Sequence, residues 1–304
     1  MNSTKTPVVF IHGLWLHSSS WQPWADLFGA AGHPTYTPEW PGVADTVEAA
    51  RANPEAQAGK GIAEIVAHHA DFLRSLDDKP IIIGHSFGGL IVQSLMAQDL
   101  GAAGIAIDPG QIKGVLPLPI AQLRAALPGL GNPLNYKRSI SLSEKQFRYG
   151  FANAVSEAES NELHAKWTIP SPARPLFEAA MANFNPRSPA KVDTRNNHRG
   201  PLLFISGTKD HTVPDVVTRA AYKLYRHSTA VTDLLQIERG HSLTIDSGWR
   251  EVADLALNWL DQQGFSAPTH IDLDAAAAQA AAQPAAQPAT PPAEQPAPEV
   301  QPPS

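Results

Sequence analysis

The chain has 304 residues, 43% of them apolar and 17% charged, enough to bury one large core, and wholesale disorder is excluded. Net charge is −6, and four of the acids (Asp272, Asp274, Glu294, Glu299) stand after residue 270, which leaves −2 for the rest. A nearly neutral body lacks the clustered Lys and Arg that a nucleic-acid partner demands, and the absence of cysteine removes disulfides, zinc–thiolate centres and a cysteine nucleophile.

In chain order, Met1-Asn2-Ser3-Thr4-Lys5-Thr6 runs straight into Val8-Val9-Phe10-Ile11, with no apolar leader and no cleavage site. Nowhere do about 18 apolar residues follow one another, so no membrane span is expected and the default location is the cytoplasm. Short apolar runs at 7–11, 80–83, 104–107 and 201–205 have the form of parallel strands buried on both faces, and 233–237 is strand-like. Stretches of helical length lie at 62–76, 87–100, 215–227 and 248–262. In the last, Trp249, Val252, Leu255, Ala256 and Trp259 recur at steps of three and four. This alternation predicts an α/β fold: a doubly wound, mostly parallel sheet with helices on both faces.

The pattern breaks between residues 109 and 199. Roughly ninety residues are too many for a loop, so the segment is expected to be an inserted cap, helical around 143–164 and 175–184. The core is then 7–108 together with 200–264. The end of the chain, 265–304, is expected to be a disordered tail, because 275–304 holds 12 Ala, 8 Pro and 5 Gln and has almost nothing to bury.

The chemistry is densest at Ile81-Ile82-Ile83-Gly84-His85-Ser86-Phe87-Gly88-Gly89: a strand, then G-x-S-x-G, then a helix. Glycines at 84 and 88 permit a sharp turn that lifts the Ser86 hydroxyl above the sheet at a helix N-terminus. A serine nucleophile needs a base, and the base needs a carboxylate to hold it. Of twelve histidines, His68 and His69 fall inside a predicted helix, and His164 and His198 in the insertion; His33, His227 and His270 have no recognisable context. His241 stands apart. It sits in Glu238-Arg239-Gly240-His241-Ser242, a loop after a strand and before the last helix, where its ring can hang over the strand ends.

Two carboxylates compete to hold it. Asp210 follows a strand in Gly207-Thr208-Lys209-Asp210, and Asp108 ends the strand after the elbow helix in Ile107-Asp108-Pro109. Asp210 is favoured, and Asp108 is expected to anchor the start of the cap. For a developing oxyanion the expected donors are the backbone N–H groups of Phe87 and of Leu14, the latter released by Gly13. His12 is expected to brace that loop.

His12-Gly13, the Ser86 elbow, Gly207 to Pro214 and Gly240-His241-Ser242 together resemble a serine hydrolase of the α/β-hydrolase fold, esterase- or lipase-like, over roughly residues 7–264. The order Ser86, Asp210, His241 is the order of that fold. The resemblance implies a sheet that begins at the family's third strand. It also implies cofactor-free hydrolysis of a small-molecule carboxylic ester through an acyl-serine. Serine at 86 separates the chain from the dehalogenases and epoxide hydrolases with an aspartate nucleophile, and the lack of cysteine from dienelactone hydrolases. Ser242 stands where hydroxynitrile lyases carry a lysine. The same triad also serves acyl transfer, perhydrolysis and carbon–carbon bond hydrolysis. A non-catalytic small-ligand receptor is the alternative of another class.

Candidate apolar walls for a substrate pocket are Trp15, Trp21, Trp24, Trp40, Phe147, Tyr149, Phe151, Trp167 and Phe184. Arg148 is expected to pair within the cap rather than meet a substrate carboxylate. An apolar pocket would favour a medium-chain or aromatic acyl ester.

Overall fold

The computed structural model describes residues 5–265, so the expected tail lies, but for its first residue, outside the described residues. From the N-terminus the chain forms β1 (Val8–Ile11), α1 (Gln22–Ala30), β2 (Thr35–Tyr36), α2 (Val47–Ala52), α3 (Ile62–Arg74), β3 (Ile81–His85), α4 (Phe87–Ala97) and β4 (Ala103–Ile107). Next come α5 (Ile120–Leu130), β5 (Ser139–Ile140), α6 (Glu144–Gly150), α7 (Glu157–Trp167), β6 (Ser171–Pro172) and α8 (Arg174–Ala180). It closes with β7 (Leu202–Gly207), α9 (Asp215–Leu224), β8 (Thr232–Ile237) and α10 (Trp249–Gln262).

Six strands form one sheet in the order β2-β1-β3-β4-β7-β8, and every pairing is parallel. The register sets Ile11 beside Gly84 and His85 beside Ile107, so the carboxyl ends of β1, β3 and β4 come level. Alternate side chains explain the helices on both faces. Phe10 packs on Trp21, Trp24 and Phe28 of the α1 side, while Val9 and Ile11 join the cluster with Leu90 and Ile91 of α4. Ile81, Ile82 and Ile83 are fully buried, and each contributes about 1.5–3 kcal/mol relative to an exposed position. The chain turns from β1 to β2 on one side and to β3 on the other. In open parallel sheets the crevice at such a switch point, outside the carboxyl strand ends, is where ligands bind.

Three elements differ from expectation. β2 has only two residues, too few for any alternation to register. α5 follows Pro119 and contains Pro128, so its sequence reads as a loop; proline is tolerated at a helix start, and Pro128, which has no N–H to offer the carbonyl of Arg124, falls in the last turn. The third is the short antiparallel pair β5–β6, which stands beside the helices of the insertion between β4 and β7 and has too few residues to register in sequence. Among the described residues no helix is long and apolar enough to cross a membrane.

Candidate active site

Ser86 occupies the turn between β3 and α4 with φ 57° and ψ −123°, a backbone region that costs a non-glycine residue about 1–3 kcal/mol. Such strain persists only where the surroundings enforce it, and here they do. A Cβ at Gly88 would run into the carbonyl of Ile11, so only glycine lets α4 start this close to β1. The strained turn leaves Ser86 at the top of the sheet, 3% exposed.

Two other strand ends bring partners to it. His241 lies in the loop after β8, fully buried, and the Ser86 hydroxyl donates to its Nε2 over 2.9 Å. Its Nδ1–H donates to Asp210 Oδ2 over 2.5 Å. Asp210 follows β7, and its other oxygen, Oδ1, accepts from the amides of Thr212 at 2.6 Å and Val213 at 2.8 Å. The carboxylate is therefore held at both oxygens and cannot rotate away from the ring. Phe151 stands edge-on to the His241 ring at 4.6 Å and is stacked on Phe147, which closes that side of the imidazole to water.

The competing carboxyl is also there. Asp108 ends β4 with φ 40°, is fully buried, and accepts from the amide of Gly207 at 2.7 Å through Oδ1. It thus ties β4 to the end of β7 and does not anchor the cap. Burial, reinforced by the negative charge of Asp210 alongside, pushes its carboxyl well above the ordinary carboxylate range. The other Asp108 oxygen, Oδ2, is buried without a hydrogen-bond partner among the described residues. His85 packs against His241 with ring centroids 4.4 Å apart and the rings tilted by 46°. Burial, and then the charge His241 takes up, keep His85 well below the ordinary histidine range, hence neutral.

His85, Asp108 and His241 form the one group of three among the described residues that could meet a metal, their ligand atoms lying within 4.8 Å of one another. Both nitrogens of His241 are already engaged, so a cation there would have to displace Ser86 or Asp210.

The loop after β1 crosses over the serine. A Cβ at Gly13 would sit 2.7 Å from the Cβ of Ser86, so the chain passes there as glycine or not at all. The amide of Leu14 takes part in none of the loop hydrogen bonds, and that of Phe87 is at the first position of α4, where no intrahelical acceptor is available. His12 braces this loop: Nδ1 bonds the Gly13 carbonyl at 2.9 Å, Nε2 lies 3.2 Å from Glu39, and the ring stacks on Trp40. Burial would raise the Glu39 carboxyl, but the bonds from His12 and Ser18 and the charges of His12 and His17 together hold it below its ordinary value.

Ser86 opens into a cavity of about 380 Å³. Of the nine aromatic candidates, Trp15 and Phe184 line it. Trp21 and Trp24 pack beneath the sheet, Trp40 backs His12, and Tyr149 carries the Arg124 guanidinium at 3.9 Å. Trp167 lines a different cavity. Arg148 lines neither cavity, and no ion pair to it occurs among the described residues. Most of the wall is aliphatic: Leu116, Leu118, Leu123, Leu130, Leu176 and Val213. The signal of the first four was the apolar spacing from 116 to 130, which the prolines disguise. The lining has no charged side chain.

A model of the alpha/beta hydrolase family matches residues 8–255. Among solved structures, a monoacylglycerol lipase from Paleococcus ferrophilus is 21% identical with a TM-score of 0.60, covering 86% of this chain and 97% of its own. An extracellular alpha/beta-hydrolase from a Paenibacillus species is 21% identical with a TM-score of 0.61, covering 83% and 98%. A methylesterase from Arabidopsis is 17% identical with a TM-score of 0.58, covering 84% and 99%. These likenesses establish a shared fold. No curated protein matches the chain.

Proposed function

The chain belongs to the alpha/beta hydrolase family, and from that premise we propose that it is a cofactor-independent hydrolase of carboxylic esters, acting through an acyl-Ser86 intermediate. The observation that carries the reading is the unbroken hydrogen-bond chain from Ser86 through His241 to Asp210, on a strained turn at the mouth of an apolar cavity. Similar proteins include a monoacylglycerol lipase and a methylesterase, which supports an ester substrate.

In the proposed cycle Ser86 Oγ attacks the ester carbonyl while His241 Nε2 takes its proton. Asp210 keeps the proton-bearing Nδ1 of His241 in place and offsets the imidazolium charge. The amides of Leu14 and Phe87 face the developing oxyanion, where each such donor contributes about 2.7–4 kcal/mol to lowering the barrier. Protonated His241 then gives its proton to the leaving alcohol. In the second half it activates water against the acyl-serine, and the acid leaves. The segment 109–199 serves as a cap, supplying the aliphatic wall that receives the acyl chain.

A series of p-nitrophenyl esters from acetate to palmitate tests this, beside Ser86→Ala and a fluorophosphonate probe. The expected result is turnover peaking at an intermediate chain length, label on the native protein alone, and a fall of at least about 10⁴-fold in kcat for Ser86→Ala with an unchanged melting temperature. An active, fluorophosphonate-reactive alanine variant would remove Ser86 from the mechanism.

A further inference from the structure

Large apolar side chains exposed on this protein are concentrated in one stretch. Of twelve among the described residues, nine lie between Leu116 and Phe184. Isolated exposed hydrophobics are ordinary, but a contiguous set marks a surface with a partner. Leu116, Leu118, Leu123 and Phe184 line the cavity that opens from Ser86, and Leu116 and Phe184 are 78% and 79% exposed, so they form its rim. α5 extends the rim outward. Ile120, Leu123 and Leu127 recur at steps of three and four, one face of a helix, and all three are exposed. An amphipathic helix ordinarily turns such a stripe into its own core; this one turns it to solvent.

Charge singles out the same face. Segments 109–143 and 179–192, which both contribute to the rim, carry Lys113, Arg124, Lys137, Arg138, Arg187 and Lys191 and not one carboxylate, in a chain of net charge −6. Arg124, Lys137 and Arg138 are exposed, on α5 and in the turn that follows it. An apolar stripe bordered by cations, on an otherwise acidic protein, is complementary to a surface that is apolar in depth and negative at its skin.

We infer that the rim of the Ser86 cavity docks on an anionic lipid surface, so that an ester enters from the lipid phase without crossing water. The consequence for catalysis rests on the hydrolase reading above; the docking itself does not. A folded protein seated on this face would cover the mouth of the cavity, whereas a lipid surface leaves the mouth facing its substrate. Apolar side chains would enter the headgroup–acyl boundary, and the exposed Arg124, Lys137 and Arg138 would lie near the phosphate plane.

The test is co-sedimentation of the full chain with large vesicles of phosphatidylcholine alone, or of phosphatidylcholine with roughly one-third phosphatidylglycerol. The expected result is about tenfold greater partitioning onto the anionic vesicles, lost at high salt. Ile120→Ser with Leu127→Ser, both outside the cavity lining, should lose about tenfold in partitioning while turnover of a soluble butyrate ester stays unchanged. Lys137→Gln with Arg138→Gln should weaken the preference for anionic vesicles and retain folding. Equal partitioning onto both vesicles, or onto neither, overturns the assignment whether or not the soluble ester is turned over. A dimer that disappears in the Ile120→Ser, Leu127→Ser protein, without vesicle binding, would give this face to a second copy of the chain instead. Vesicle binding without any ester turnover would leave the surface standing and remove the hydrolase reading.

Discussion

The carboxyl edge of the sheet and the insertion above it treat polar and apolar groups in opposite ways. At the edge, Ser86, Asp108, Asp210 and His241 are polar and buried, each held by named hydrogen bonds. In the insertion, Leu116, Ile120, Leu127 and Phe184 are apolar and exposed. Burying a polar group without a partner costs about 1–3 kcal/mol, so these four are locked: each must keep the partner it has. An exposed leucine makes no such demand, and the insertion can vary its surface without unfolding the sheet. On the proposed function, chemistry would belong to the rigid region and substrate choice to the permissive one.

The largest test of this division is at the edge. Asp210→Asn keeps the shape of the side chain but removes the charge and favours the wrong tautomer of His241. The expected loss is about 10⁴-fold in kcat, with the ester chain-length preference unchanged. If Asp108 supplied the working carboxylate, the loss would be small, and single-turnover kinetics on the variant decides between the two.

A change in the permissive region should act otherwise. Ala126→Phe adds a ring to the cavity wall on α5. Turnover of long acyl esters should fall about 10–100-fold relative to acetate, while acetate itself is nearly unaffected, because only the chain that must occupy the lost volume is penalised. A uniform loss across the ester series would mean that α5 disturbs the edge and that the two regions are not separable.

The smallest effect concerns stability and pH. Asp108 is held neutral in the folded protein to a pH well above the ordinary carboxylate value, so between the two values the folded state binds more protons than the unfolded one. Stability contributed by this group is complete below the unfolded pKa of about 3.9 and declines as pH rises toward the folded one, by at most about 1.4 kcal/mol per pH unit. Asp108→Asn imitates the neutral acid at every pH. Its stability relative to the native protein should match at low pH and improve as pH rises to neutrality, in denaturant titrations at a series of pH values. A difference independent of pH would show that Asp108 is ionised in the fold.

Much of the sheet was legible because its strands are buried on both faces and must be written in Val, Ile, Leu and Phe. The run Ile81-Ile82-Ile83 followed by G-x-S-x-G could hardly be anything but a strand entering a tight turn. α5 was not legible. Pro119 and Pro128 mask its period, and its leucines point at a cavity and at solvent rather than at a core that would impose a regular stripe. The wall of the cavity was poorly legible for a similar reason: Phe147 and Phe151 look like ligand contacts in sequence and instead pack behind His241.

What the sequence by itself determined is the order of the parts: strand, elbow serine, strand-end acids and a late histidine loop, because local turn chemistry and hydrophobic period are properties of neighbouring residues. What only the tertiary structure decided is which distant groups meet. Asp108 and Asp210 are both acids at strand ends, and one-dimensional spacing ranks them only weakly. Parallel register brings both beneath one histidine, yet the bond direction gives His241 Nδ1 to Asp210, while the Gly207 amide and burial keep Asp108 to itself. A hydrogen bond needs atoms within a few tenths of an ångström and an aligned donor, and that precision comes from packing across the sheet.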